Sequence, residues 1–70
     1  MEKKPENEKR NFGITKRETE VIVLLAEGKT YAEIASDLFI SIETVRRHAT
    51  NIYAKLGVKN KMQAVRKCFG

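Results

Sequence analysis

The sequence predicts an all-α fold, a four-helix bundle that contains a helix-turn-helix. Three observations lead there. Four helix-start signals fall between Thr15 and Asn60, each ahead of apolar residues spaced three and four apart, the period of one helix face. No segment alternates apolar and polar residues as a half-buried strand would. Seventy residues in all leave room for one domain with a thin core.

The first helix opens at Thr15, whose hydroxyl suits the N–H three residues on, while Glu18 reaches back to close a capping box. It spans about 16–27, and Gly28 ends it where a left-handed residue is wanted. Thr30 and Glu33 repeat the box ahead of a short second helix, about 31–38, with Tyr31 exposed at its start. Ser41 caps a third helix over about 42–56, stopped by Gly57. Asn60, with Gln63 at the third helical position, opens a fourth over about 61–67. The apolar stripes place in the core Ile14, Val21, Leu24 and Leu25, then Ile34, Ala35, Leu38 and Ile40, then Val45, Ala49, Ile52 and Leu56. Val58, Met62, Ala64 and Val65 complete it. Residues 1–13 are polar, charged and broken by Pro5 and Gly13, and read as a flexible N-terminal arm or linker in which only Phe12 suits docking on the body. Residues 14–70 form the domain.

Several function classes fall away. No nucleophile–base pair, ligand cluster or Gly-rich phosphate loop occurs, so the chain reads as no enzyme, with no cofactor, metal or small-molecule site. His48, the only histidine, suits packing with one hydrogen bond. Arg17 and Glu18 suit an intramolecular ion pair or cap. No stretch approaches the roughly 18 apolar residues of a membrane span, and the charged start lacks a signal-peptide apolar region. The single Cys68 has no internal partner and reads as an inert thiol in a reducing compartment. Together these suggest a cytoplasmic chain with no membrane contact.

Charge placement points to a partner. The net charge is +5. Residues 1–40 carry seven Lys/Arg and eight Asp/Glu, whereas residues 41–70 carry seven Lys/Arg against Glu43 alone. A half-chain of one sign suits a polyanion, or a merely solvated basic face. On a wheel of about 100° per residue with Glu43 at zero, Val45, Ala49, Ile52 and Leu56 cluster near 210° or so. Opposite them lie Glu43, Arg46, Arg47, Thr50 and Ala54, two arginines early and small residues later. That order suits a helix entering the DNA major groove by its N-terminal half, with the arginine fork matched to guanine O6 and N7. Lys55 falls beside Thr44 and Asn51, within reach of flanking phosphates. The turn Phe39-Ile40-Ser41 is short enough to force a steep crossing of helices two and three.

These residues match a family. Ile14-Thr15-Lys16-Arg17-Glu18, Glu20-Val21, Leu24, Ala26 and Gly28 resemble the start of the LuxR-type helix-turn-helix domain. The resemblance continues through Glu33-Ile34-Ala35, Leu38-Phe39-Ile40-Ser41, Thr44-Val45, His48, Ile52, Lys55-Leu56-Gly57-Val58, Asn60 and Ala64-Val65. It covers about residues 14–67, and the family includes output domains of NarL/FixJ-type response regulators and free-standing regulators of the GerE type. The resemblance implies transcription regulation through sequence-specific binding of double-stranded DNA, usually by a dimer on two half-sites. It implies base contacts from Arg46, Arg47 and Thr50. Phosphate contacts are implied from Thr30 and Tyr31, from Ser41 and Thr44, and from Lys59, Asn60 and Lys61. It implies a homodimer contact on the fourth helix, at Met62, Val65, Arg66 and Phe69. Two departures matter: Lys61 stands where the family often has arginine, so a bidentate contact becomes a point charge, and the fourth helix ends almost at once. The rival reading is a protein-interaction module that contacts RNA polymerase or another regulator.

Overall fold

A computed structural model describes residues 13–70 of the chain. The expectation of an arm with a docking Phe12 falls on residues 1–12, outside the described residues. Four helices follow: α1 (Lys16–Ala26), α2 (Tyr31–Leu38), α3 (Ile42–Leu56) and α4 (Lys61–Phe69). No strand occurs among the described residues.

Each helix begins at its expected cap. Thr15 Oγ1 accepts from Glu18 N at 3.1 Å while Thr15 N donates to Glu18 Oε1 at 3.0 Å. Thr30 and Glu33 form the same reciprocal pair at 3.1 and 2.8 Å. Ser41 Oγ accepts from Thr44 N at 3.0 Å, and Asn60 Oδ1 accepts from Gln63 N at 2.9 Å. The last box is shifted: Gln63 Oε1 accepts from Lys59 N at 2.9 Å, one residue ahead of the cap.

The helix ends repeat one device. Lys29 N donates to Leu24 O, Ile40 N to Ala35 O and Val58 N to Tyr53 O, the long bond of a Schellman closure around a left-handed residue. Gly28 and Gly57 take that conformation at φ +91° and +71°. At the end of α2 the left-handed residue is Phe39, at φ 59° and ψ 45°. A side chain there clashes with its own backbone. Ile40, the next residue, packs against the core and anchors the turn, so the short α2–α3 connection forces the backbone into this conformation.

Helices α1 and α3 each touch the other three helices, whereas α2 and α4 lie apart. Val21, Ile22, Leu25, Ile34, Ala35, Val45, Ala49, Ile52, Leu56 and Ala64 are buried. The stripe of α3 is therefore the one its spacing predicts. Three details differ from the sequence reading. Ile22 joins the core, because α1 is flanked by α2, α3 and α4 and buries a wider arc than one stripe, and Leu24 is only half-buried. Met62 is exposed rather than in the core, since only the Ala64 side of α4 faces α1 and α3. Helix α4 runs two residues beyond 67, to Phe69, because Cys68 packs on the core. Burial pushes the Cys68 thiol pKa up, which disfavours the reactive thiolate.

One ion pair joins the start of α1 to the end of α3. Glu18 is buried, and its Oε1 accepts from Lys55 Nζ at 2.7 Å; the same ammonium donates to Gly13 O at 3.0 Å. Burial opposes the carboxylate charge, but the Lys55 and Thr15 bonds outweigh it and hold the pKa below the ordinary glutamate value. A carboxyl with a depressed folded pKa contributes stability that is present above its unfolded pKa and lost as pH falls through the folded one. Glu18→Gln is therefore expected to lower stability at neutral pH by about 1–3 kcal/mol and to flatten the loss below the glutamate range. Urea unfolding followed at several pH values measures both; an acid limb as steep as that of the parent would contradict this account.

Phe39 supplies a second prediction. Its ring is 92% exposed, so no burial offsets the left-handed backbone. Phe39→Asn should raise unfolding stability by about 0.5–1 kcal/mol, read as a rise in the thermal midpoint.

Candidate nucleic-acid interface

The burial of Val45, Ala49, Ile52 and Leu56 turns the opposite side of α3 to solvent. Glu43, Arg46, Arg47, Thr50 and Ala54 are all exposed there. Arg46 Nη1 donates to Glu43 Oε2 at 3.1 Å, and the two side chains keep 55% and 80% of their surface open to solvent. An exposed pair of this kind contributes little stability and exchanges readily for other partners. No acidic partner faces Arg47 among the described residues. The structure thus brings the three sequence-expected base-reading residues, Arg46, Arg47 and Thr50, onto one open face.

Ser41 caps α3 itself, and the caps of α2 and α4 keep donors of the same kind. Thr30, Ser41 and Asn60 spend an acceptor on their own helix. Each retains donor capacity: the Thr30 hydroxyl proton, one proton of the Ser41–Thr44 hydroxyl pair joined at 2.9 Å, and the Asn60 amide. Groups whose acceptors are occupied and whose protons remain suit an anion, as a phosphate oxygen does. Thr30, Ser41, Asn60, Lys59 and Lys61 are exposed and Thr44 is half-buried. Lys59 and Lys61 likewise have no acidic partner among the described residues.

Two expected members also engage the body of the domain. Lys55 does not reach outward as the wheel suggests; it turns onto Glu18 and the Gly13 carbonyl, drawn by the only buried charged residue described. Tyr31 is half-buried against the core rather than exposed. Tyr53 of α3 packs against the same core, and burial, with the neighbouring Tyr31 hydroxyl, pushes the Tyr53 phenol pKa well up. Sequence reasoning missed Tyr53. The signal was its wheel position next to Ala49, on the edge of the buried arc. Arg17 forms an ion pair with Glu20 at 3.1 Å, and Glu18 is both cap and ion-pair partner, in keeping with the reading of that segment.

On the far side, Met62, Val65, Arg66 and Phe69 line one open groove of about 420 Å³ together with Leu25, Ala26 and Gly28 from the end of α1. The four residues expected to mediate self-association are thereby brought together, and Met62 and Phe69 are 64% and 55% exposed.

A helix-turn-helix with a wet arginine face and capping donors beside it defines the class: a DNA-binding domain of a transcription regulator. Comparison with known proteins agrees. Residues 13–68 match the family of bacterial regulatory proteins, luxR family, and the chain belongs to it. It is 60% identical over 52 residues to the spore germination protein GerE of Bacillus subtilis, covering 74% of this chain and 70% of that protein. It is 51% identical over 59 residues to the transcriptional regulatory protein LiaR of Bacillus subtilis, covering 84% of this chain and 28% of LiaR. It is 46% identical over 52 residues to the oxygen regulatory protein NreC of Staphylococcus aureus, covering 74% of this chain and 24% of NreC. The chain therefore spans most of GerE but under a third of LiaR and NreC. No described helix is long and apolar enough to cross a membrane.

Proposed function

We propose that this domain binds double-stranded DNA sequence-specifically in the bacterial cytoplasm, with α3 in the major groove. Arg46, Arg47 and Thr50 read base edges. Thr30, Tyr31, Ser41, Thr44, Lys59, Asn60 and Lys61 fix register on the phosphates. The observation that carries this reading is the two-sidedness of α3: Val45 and Ile52 are fully buried while Arg46 and Arg47 stand in solvent. The domain acts as a homodimer through the groove at Met62, Val65, Arg66 and Phe69, supported by the exposed apolar side chains there.

A protein contact, with RNA polymerase for instance, has one observation in its favour, the bare ring of Phe39 at the α2–α3 turn. Salt separates the two readings, because DNA affinity falls steeply with ionic strength and an apolar protein contact does not.

Selection of bound sequences from a random duplex pool, followed by footprinting of the winner, tests the proposal directly. On the selected site Arg46→Ala is expected to cost roughly 1–3 kcal/mol and to relax one base preference. Lys59→Ala should weaken binding to all sequences alike and lower the salt slope by about one unit. A sequence-selective loss from Lys59→Ala would assign the roles the other way round. Met62→Asp, at an exposed position, is expected to reduce a footprint of two half-sites about one helical turn apart to one; an unchanged footprint would move the dimer contact elsewhere.

A further inference from the structure

Glu43 is the only acidic residue in residues 41–70, and it stands on the side of α3 that faces DNA in the reading above, on which this inference rests. We propose that Glu43 is a specificity-determining residue: its carboxylate accepts from the N4 amino group of a cytosine, one base pair from the guanine read by Arg46.

The geometry supports a two-residue reading unit. A single bond links Arg46 Nη1 to Glu43 Oε2, at 3.1 Å. It occupies one carboxylate oxygen and one of the five guanidinium donors, leaving Oε1 and the remaining fork available. Three residues of helix rise about 4.5 Å, close to the roughly 3.4 Å between successive base pairs. Side chains at this spacing on one face therefore meet neighbouring base pairs along the groove.

Charge gives the discrimination its sign. A carboxylate at a DNA surface weakens attraction to phosphates whatever the sequence. Glu43 offsets that loss only where a base presents a donor to it. Cytosine N4 does so, and carboxylates accept from that group in the major groove. Guanine presents only O6 and N7 acceptors there, which the carboxylate repels. Glu43 thus favours one base and penalises another at the same step.

A plainer role exists, since a first-turn acid is favourable at a helix N-terminus, and the two roles predict different measurements. Affinities are measured for duplexes carrying each of the four bases at every position of the selected site. The proteins are the parent chain, Glu43→Ala, Glu43→Gln, Arg46→Ala and the double variant Glu43→Ala/Arg46→Ala. Circular dichroism checks that each is folded, which the 80% exposure of Glu43 favours. Glu43→Ala is expected to lose roughly tenfold discrimination at the one position next to the Arg46-dependent guanine, and to bind random-sequence DNA more tightly. Glu43→Gln should shift preference at that position towards adenine, which presents both a donor and an acceptor. If Glu43→Ala keeps the parent's base preferences everywhere and only its thermal midpoint falls, Glu43 is a helix-end charge. The inference then fails while the DNA-reading assignment of α3 stands. A parent chain that binds all duplexes alike overturns that assignment itself.

Discussion

Helix α3 has to satisfy two demands at once, and the rest of the domain follows from them. Val45, Ala49, Ile52 and Leu56 are buried against the other three helices. A domain with this few residues has little other core to draw on. The same burial fixes the rotation of the helix about its axis, because a slip of one residue would turn every side chain by about 100°. Arg46 and Arg47 are therefore held outward by residues that never touch a ligand. The precision of the candidate interface is a consequence of core packing.

Electrostatics are sorted by the same geometry. Lys55 is neutralised near the end of α3, against a carboxylate that also caps α1. That arrangement satisfies a buried charge and joins Gly13 to the end of α3. The cations without acidic partners among the described residues are Lys16, Arg47, Lys59, Lys61 and Arg66, and all but Lys16 fall in residues 41–70. Unpaired charge near a groove-sized surface raises the local concentration of a polyanion. The surface beyond α4 is of a different kind, with exposed Met62 and Phe69 beside Arg66. One small domain thereby presents an open polar face on α3 and an apolar groove along α4.

The α2–α3 turn shows how tightly the pieces are constrained. Phe39 occupies a left-handed position that glycine takes at the ends of α1 and α3. The strain is tolerated because Ile40 packs inward and Ser41 caps α3 immediately afterwards. Lengthening the turn would relieve Phe39, but it would also release the steep crossing that presents the start of α3.

The helices, all four N-caps, and the buried stripe of α3 were legible in the residues alone, because capping and helical periodicity act over three or four positions of chain. The outward placement of Arg46, Arg47 and Thr50 was legible for the same reason. Tertiary structure decided what depends on residues distant in sequence. Lys55 turns inward because Glu18, 37 positions away, is brought beside it, and a wheel drawn for one helix carries no information about its neighbours. Tyr31 packs against the core, Ile22 is buried because α1 has neighbours on several sides, and α4 gains its last turn from the packing of Cys68. Local chain chemistry thus determined the elements and their faces, whereas the contacts between helices decided which polar side chains remained available to a partner.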